Sequence, residues 1–309
     1  MIQCCKYMKP IASSVIPKLK RIVVSAAGIL LLTGCFDPAR EADFGCKAAA
    51  AYGNYDSAVL NITRAAEKPK VRKMLREHPA AAAYYLRVLA IAEQYRGNLK
   101  ESENAFRESK KQQAHPLTCF ARARFALRSG EVALAEKEIA EMESLLGRKE
   151  LWKFNYYDFL LALLPGEQHD KMLRIPKHDF LQSRLKHLKQ ELASVRKLPE
   201  GCLPALSGVP LPGVGKLRYG MKRSDFPPEL GKPARTEVLR INKHAMPGLI
   251  GYFYVLPDGK RAVCLAVSKQ TDRLGDIFLV SWPLRMQRGA AWVRSKNEPY
   301  VIGSAKAPK

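Results

Sequence analysis

Residues 90–106 read Ala-Ile-Ala-Glu-Gln-Tyr-Arg-Gly-Asn-Leu-Lys-Glu-Ser-Glu-Asn-Ala-Phe, and the fold class turns on this stretch. Apolar residues at helical spacing run into Gly97-Asn98 and resume beyond it, which predicts two helices joined by a tight turn. The same turn returns 33 residues later as Gly130-Glu131-Val132, and an earlier copy stands at Gly53-Asn54-Tyr55. Small residues keep fixed places around each turn: Ala90 before and Ser102 and Phe106 after, then Ala123 before and Ala135 and Ile139 after. Around the first, Cys46 precedes and Ala58, Ile62 and Ala65 follow. Small side chains at those places let paired helices approach closely, so the pattern predicts stacked helical hairpins.

This spacing resembles tetratricopeptide (TPR) repeats, whose unit is about 34 residues. The units are divergent: the family's early aromatic is Ala42, Leu86 or Cys119 here, and its later Tyr is Ala49, Glu93 or Ala126. The charged stretch from Glu67 to His78 reads as an insertion, either a longer second helix or a connecting loop. In TPR domains the first helices of each pair line a concave, peptide-binding groove. The resemblance carries that role onto Tyr84, Arg87, Ile91 and Tyr95 in one unit and Phe120, Arg124 and Arg128 in the next. Forked guanidiniums beside aromatic area suit an acidic peptide segment; packing against the next repeat accounts for the same residues equally well.

Helical character continues through Leu151–Leu164 to Pro165-Gly166. It resumes in a last helix opened by Asp179 and Gln182, which are spaced as a capping box. Leu181, Leu185, Leu188, Leu192 and Val195 draw one apolar seam along that helix, expected to pack on the preceding unit. Proline and glycine then crowd residues 199–212, which read as a linker between the helical domain (35–198) and a small α+β domain (213–284). Within the latter, Gly251–Val255, the turn Pro257-Asp258-Gly259 and Ala262–Val267 form a hairpin signature. Asp276–Trp282 and Val238–Ile241 add strands, giving a small antiparallel sheet. Gly220-Met221, Phe226, Leu230-Gly231 and Pro233 precede the sheet at a spacing that resembles the SmpA/OmlA family, which includes the BamE lipoprotein. The resemblance implies a short helix after Gly-Met, capped by Ser224 and Asp225. Pro227-Pro228 departs from it and shortens that helix or replaces it with a turn.

The N-terminus constrains function more than the repeats do. Lys18, Lys20 and Arg21 precede an apolar run, Ile22–Leu32, which is about half the ~20 residues a spanning helix needs. The run ends in Leu32-Thr33-Gly34-Cys35, which resembles the lipobox of bacterial lipoproteins. The resemblance implies that residues 1–34 are a signal peptide, with Met8 a cleaner start than Met1. It also implies that Cys35 carries covalent lipid, and several acyl chains anchor stably where one alone does not. Phe36, where retained lipoproteins of the family carry Asp, favours the outer membrane, facing the periplasm. Residues 1–34 hold five Lys or Arg and no acid, so a chain starting at Cys35 keeps +18 of the formal +23.

Such a charge speaks to partners rather than fold. In an envelope the candidates are an acidic protein segment, lipid phosphates, lipopolysaccharide or peptidoglycan, and nucleic acid is a poor fit. A basic tail, 285–309, carries Arg285, Arg288, Arg294 and Lys296 beside Trp292 as candidate membrane-facing residues. Cys46 and Cys119 fall on apolar helix faces. Cys202 and Cys264 are the candidate disulfide of an oxidising compartment. No catalytic motif is present, and no metal or cofactor beyond the lipid on Cys35 is expected. Gly213-Val214-Gly215-Lys216 lacks the remainder of a phosphate loop, and His169, His178 and His187, nine residues apart, point to opposite helix faces. The reading is a non-enzymatic, lipid-anchored scaffold or accessory subunit in envelope assembly, such as outer-membrane protein insertion, pilus biogenesis or secretion. The alternative is an electrostatic binder of anionic envelope polymer or incoming DNA.

Overall fold

The computed structural model describes residues 55–148, 178–199, 202–241, 244–283, 286–287 and 290–293. Among the described residues seven helices precede a sheet: α1 (Tyr55–Glu67), α2 (Pro69–Glu77), α3 (Pro79–Tyr95), α4 (Leu99–Gln112), α5 (Pro116–Ser129), α6 (Val132–Leu146) and α7 (His178–Val195). Gly97 and Gly130 close the hairpins α3–α4 and α5–α6 with φ of 72° and 74°, a left-handed turn that glycine enters without a Cβ penalty. Ala90, Ser102, Phe106, Ala123, Ala135 and Ile139 are all buried at the helix contacts, as are Ala58, Ile62 and Ala65 of α1. The stretch from Glu67 to His78 is a separate helix, α2, started by Pro69 at its first turn, where the missing N–H costs nothing. The seam of α7, from Leu181 to Val195, is buried against α5 and α6.

The strands are β1 (Arg235–Ile241), β2 (His244–Val255), β3 (Arg261–Ser268), β4 (Leu274–Ser281), β5 (Met286–Gln287) and β6 (Ala290–Val293), in the order β4-β3-β2-β1-β6-β5. The first four are antiparallel, but β6 joins β1 in parallel, so the sheet is mixed and reaches into the stretch expected as a tail. Asp258 shapes the β2–β3 turn by accepting the backbone N–H of Lys260 and Arg261 at 2.8 and 3.0 Å.

Central strand β3 is buried on both faces, and its alternation divides the interior. Ala262, Cys264 and Ala266 face a core shared with Tyr55, Ala90, Ile91, Tyr95 and Phe106 of the helices. Val263 and Leu265 face a second core with Leu203, Leu206, Val214, Leu217, Tyr219 and Leu230. Within the expected linker, Pro204 opens a short 3-10 turn, Pro204–Leu206, and Leu203 and Leu206 are buried in the second core. The helix expected after Gly220-Met221 is two 3-10 turns, Arg223–Asp225 and Pro228–Leu230, separated at Pro227. Consecutive prolines there remove the donors a helix would need.

The predicted Cys202–Cys264 disulfide is corrected: both thiols are free. Cys264 points to the helix-facing core, while the segment carrying Cys202 packs through Leu203 and Leu206 on the opposite face of the sheet. Among the described residues no helix is long and apolar enough to cross a membrane.

Candidate functional site

The residues assigned to a peptide groove do not line an open surface. Tyr84, Arg87, Ile91, Tyr95 and Phe120 are buried, and Arg124 and Arg128 partly so. Ile91 and Tyr95 face the core shared with the sheet, where Tyr95 stacks on Tyr55 with ring centroids 4.5 Å apart, while Tyr84 and Phe120 are buried between helices. Gly275 of β4 lies so close to α3 that a Cβ there would fall 1.8 Å from the Tyr95 carbonyl oxygen. Arg128 lies 5.1 Å from the ring centroids of both Tyr95 and Tyr219 and donates to Asp276 of β4. Arg87 sits over Tyr84 at 5.4 Å and reaches Thr118 of α5 at 3.3 Å, so it ties α3 to α5. Arg124 lies 5.7 Å from the Phe120 ring. The expected groove chemistry, arginine with aromatics, is present, and its contacts are made within the protein.

A second closure lies at Arg96. Its Nε donates to Asp56 of α1 at 2.8 Å, Nη1 to Glu93 at 2.7 Å and Nη2 to Gln270 of the β3–β4 turn at 2.9 Å. Burial still raises the pKa values of Asp56 and Glu93, because desolvation outweighs the guanidinium's attraction. Spacing alone could not expose this site, since its acceptors come from elements far apart in sequence.

Between α4, α5 and α6, Cys119, Glu138 and Glu141 bring one thiol and two carboxylates within 4.8 Å of one another, a donor set that could ligate a divalent metal. Lys110 holds the cation's place, donating to Glu138 and Glu141 at 2.6 and 2.7 Å, and Arg122 donates to the other Glu138 oxygen at 2.6 Å. Burial alone would lower the Lys110 pKa, but its two carboxylate partners together raise it. Burial also pushes the Cys119 thiol well up, so it stays protonated and unreactive.

An open feature lies elsewhere. A groove of about 740 Å3 runs between α1, α2, α3 and the end of α4, lined by Ile62, Ala66, Leu75, Tyr85, Leu86 and Leu89, with Arg72 and Arg76 from α2. The sequence signal was the charged stretch Glu67–His78, read only as an insertion. His187 is exposed, in keeping with a solvated histidine. Cys35, Cys46, Arg285, Arg288, Arg294, Lys296, His169 and the 151–164 segment lie outside the described residues. No family model matches the chain, and no curated protein or solved structure matches it significantly.

Proposed function

We propose that the protein is a lipid-anchored component of a bacterial envelope that works by non-covalent binding, as a scaffold or accessory subunit in envelope assembly. The observation that carries the binding reading is a contrast. The charged clusters at Arg96, Lys110 and Arg128 are closed ion pairs holding the fold, while the open groove is apolar with cations on its rim. Such a surface serves non-covalent binding. The anchoring half of the proposal rests on Leu32–Cys35 and the basic-then-apolar stretch before it. The TPR-like and SmpA/OmlA-like patterns support the assembly half, because tethered repeat domains gather partners. With Ile91 and Tyr95 sealed against the sheet, partner binding falls to other faces of the helices.

A second reading, an electrostatic binder of anionic polymer, is favoured by the formal charge of +23 and by α2, with Lys70, Arg72, Lys73 and Arg76 against Glu77. Crosslinking in intact cells, followed by copurification through ~0.5 M salt, separates the two, because exposed charge contacts are screened within a few ångströms there. A defined protein retained at that salt supports the scaffold. Loss of every protein, with retention of peptidoglycan or lipopolysaccharide at low salt, overturns it in favour of the second reading.

A further inference from the structure

Three features of the groove between α1 and α3 restrict what it can hold. Its walls are mainly hydrocarbon, Ile62 and Ala66 of α1, Leu75 of α2, and Leu86 and Leu89 of α3, with Thr63, Tyr85 and Gln112 the other polar groups. Its rim is cationic, and among the described residues neither Arg72 nor Arg76 meets a carboxylate. Arg72 donates Nε and Nη2 to the Glu67 carbonyl at 3.2 and 2.6 Å, and Arg76 Nε reaches the Arg72 carbonyl at 3.3 Å. Both side chains are exposed and keep N–H groups for a ligand. Its volume, about 740 Å3, lies in the ~300–1,000 Å3 range of small-ligand sites.

The lining suits a hydrocarbon chain better than a peptide backbone. An extended peptide would bring a backbone donor and acceptor per residue to apolar walls, and burying those groups without partners is costly. A hydrocarbon chain carries no such groups. A phosphate at its end would meet two guanidiniums whose forked donors fit phosphate oxygens. Exposed Leu60, three residues before Thr63 of the groove wall, extends the apolar surface outward along α1.

We propose that this groove binds one acyl chain of an anionic phospholipid, with its phosphate held by Arg72 and Arg76. The site requires neither Cys35 nor a protein partner, so it stands or falls independently of the function proposed above. The α2 insertion is then a lipid-recognition element added to the helical array: its apolar side closes the groove and its basic side faces the headgroup.

The test is calorimetric titration of the full chain with monomeric lauroyl lysophosphatidylglycerol, below its micelle concentration. The expected result is one saturable site. Affinity should fall about three- to fourfold for each methylene removed from the chain, the factor that follows from burying one CH2. Arg72→Gln with Arg76→Gln should weaken binding tenfold or more, and Leu86→Trp, which fills the groove from a half-exposed position, should abolish it with the circular dichroism unchanged. Absence of a saturable site in the wild-type chain overturns the proposal, as does affinity indifferent to chain length and to both variants. Tight binding of an acidic helical peptide that is lost in Leu86→Trp, with no response to the lysolipid, overturns it in favour of a peptide site.

Discussion

On one side of α3, Ile91 and Tyr95 are sealed against the sheet; on the other, Leu86 and Leu89 line a groove open to solvent. Both sides are apolar at helical spacing, so local pattern does not distinguish them. What does is the partner delivered from 148 or more residues away: Gly275, with no side chain, lets β4 approach the end of α3, and Asp276 supplies a charge for Arg128. A sealed face and a binding face thus differ by what the rest of the chain brings, and the difference can be broken from either side.

The largest expected effect comes from Asp276→Ala. Arg128 and Asp276 have side chains only 11% and 4% exposed, so removing the carboxylate takes its ion-pair partner from a largely buried guanidinium. That costs about 3–5 kcal/mol, read as a lower urea midpoint. Adding Arg128→Met should recover much of the loss, since the buried charge is then gone; no recovery would mean that Asp276 acts through its own bond to the Ile277 N–H, 2.8 Å away, rather than through Arg128.

Next is Gly275→Ala. Its Cβ would lie 1.8 Å from the Tyr95 oxygen and 2.6 Å from the Tyr95 carbonyl carbon, both backbone atoms that move only if α3 and β4 separate. Overpacking of this kind costs about 1–3 kcal/mol. Increased hydrogen exchange at both Tyr95–Asn98 and Leu274–Ile277 would show the two layers parting, and an unaltered pattern would refute the close contact.

These two residues also show where sequence reasoning stopped. The hairpins at Gly97 and Gly130, the buried alanines beside them, the α7 seam and the β2–β3 hairpin were legible, because each depends on residues within a few turns of one another. The fate of the peptide groove was not, because Tyr95 and Arg128 carry the same chemistry whether they meet a ligand or β4. The cysteine pairing failed for a related reason: period-two alternation places Cys264 on a known side of β3, but not the side on which residues 202–206 pack. Parallel β6 was hidden behind the basic residues that flank Ala290–Val293. The groove went unread because α2 was seen as length inserted into a repeat, whereas Leu75 and Arg76 take their meaning from Leu86 and Leu89 of the next helix.

A smaller effect tests the interior of the helical array by pH. His115 caps α5, its Nδ1 accepting the Leu117 N–H at 3.2 Å, and burial followed by the Arg87 charge lowers its pKa to about 3. The folded protein therefore keeps His115 neutral while the unfolded chain takes up a proton near pH 6.5. Its contribution is complete above pH 6.5 and declines as the pH falls toward 3, with about 1.4 kcal/mol lost at pH 5.5. Asp56, Glu93 and Glu131, whose pKa values are raised chiefly by burial, act in the opposite sense, because the native state binds their protons first. The comparison that isolates His115 is His115→Asn, which keeps a capping acceptor and loses the titration. The stability difference between wild type and variant should narrow or reverse from pH 7 to 5.5, and a difference constant with pH would place His115 in solvent.

The smallest effect belongs to the open side of α3 and is informative because it is small. Leu86→Gln changes a half-exposed groove residue and should shift stability by no more than about 0.5 kcal/mol. Ile91→Gln, little more than one turn further along the same helix, puts an amide into the sheet-facing core, where Ile91 is 8% exposed. An amide left there without partners costs about 1–3 kcal/mol beyond the lost packing. Equal costs for the two variants would mean that the groove is filled by the protein itself, and that both sides of α3 are sealed.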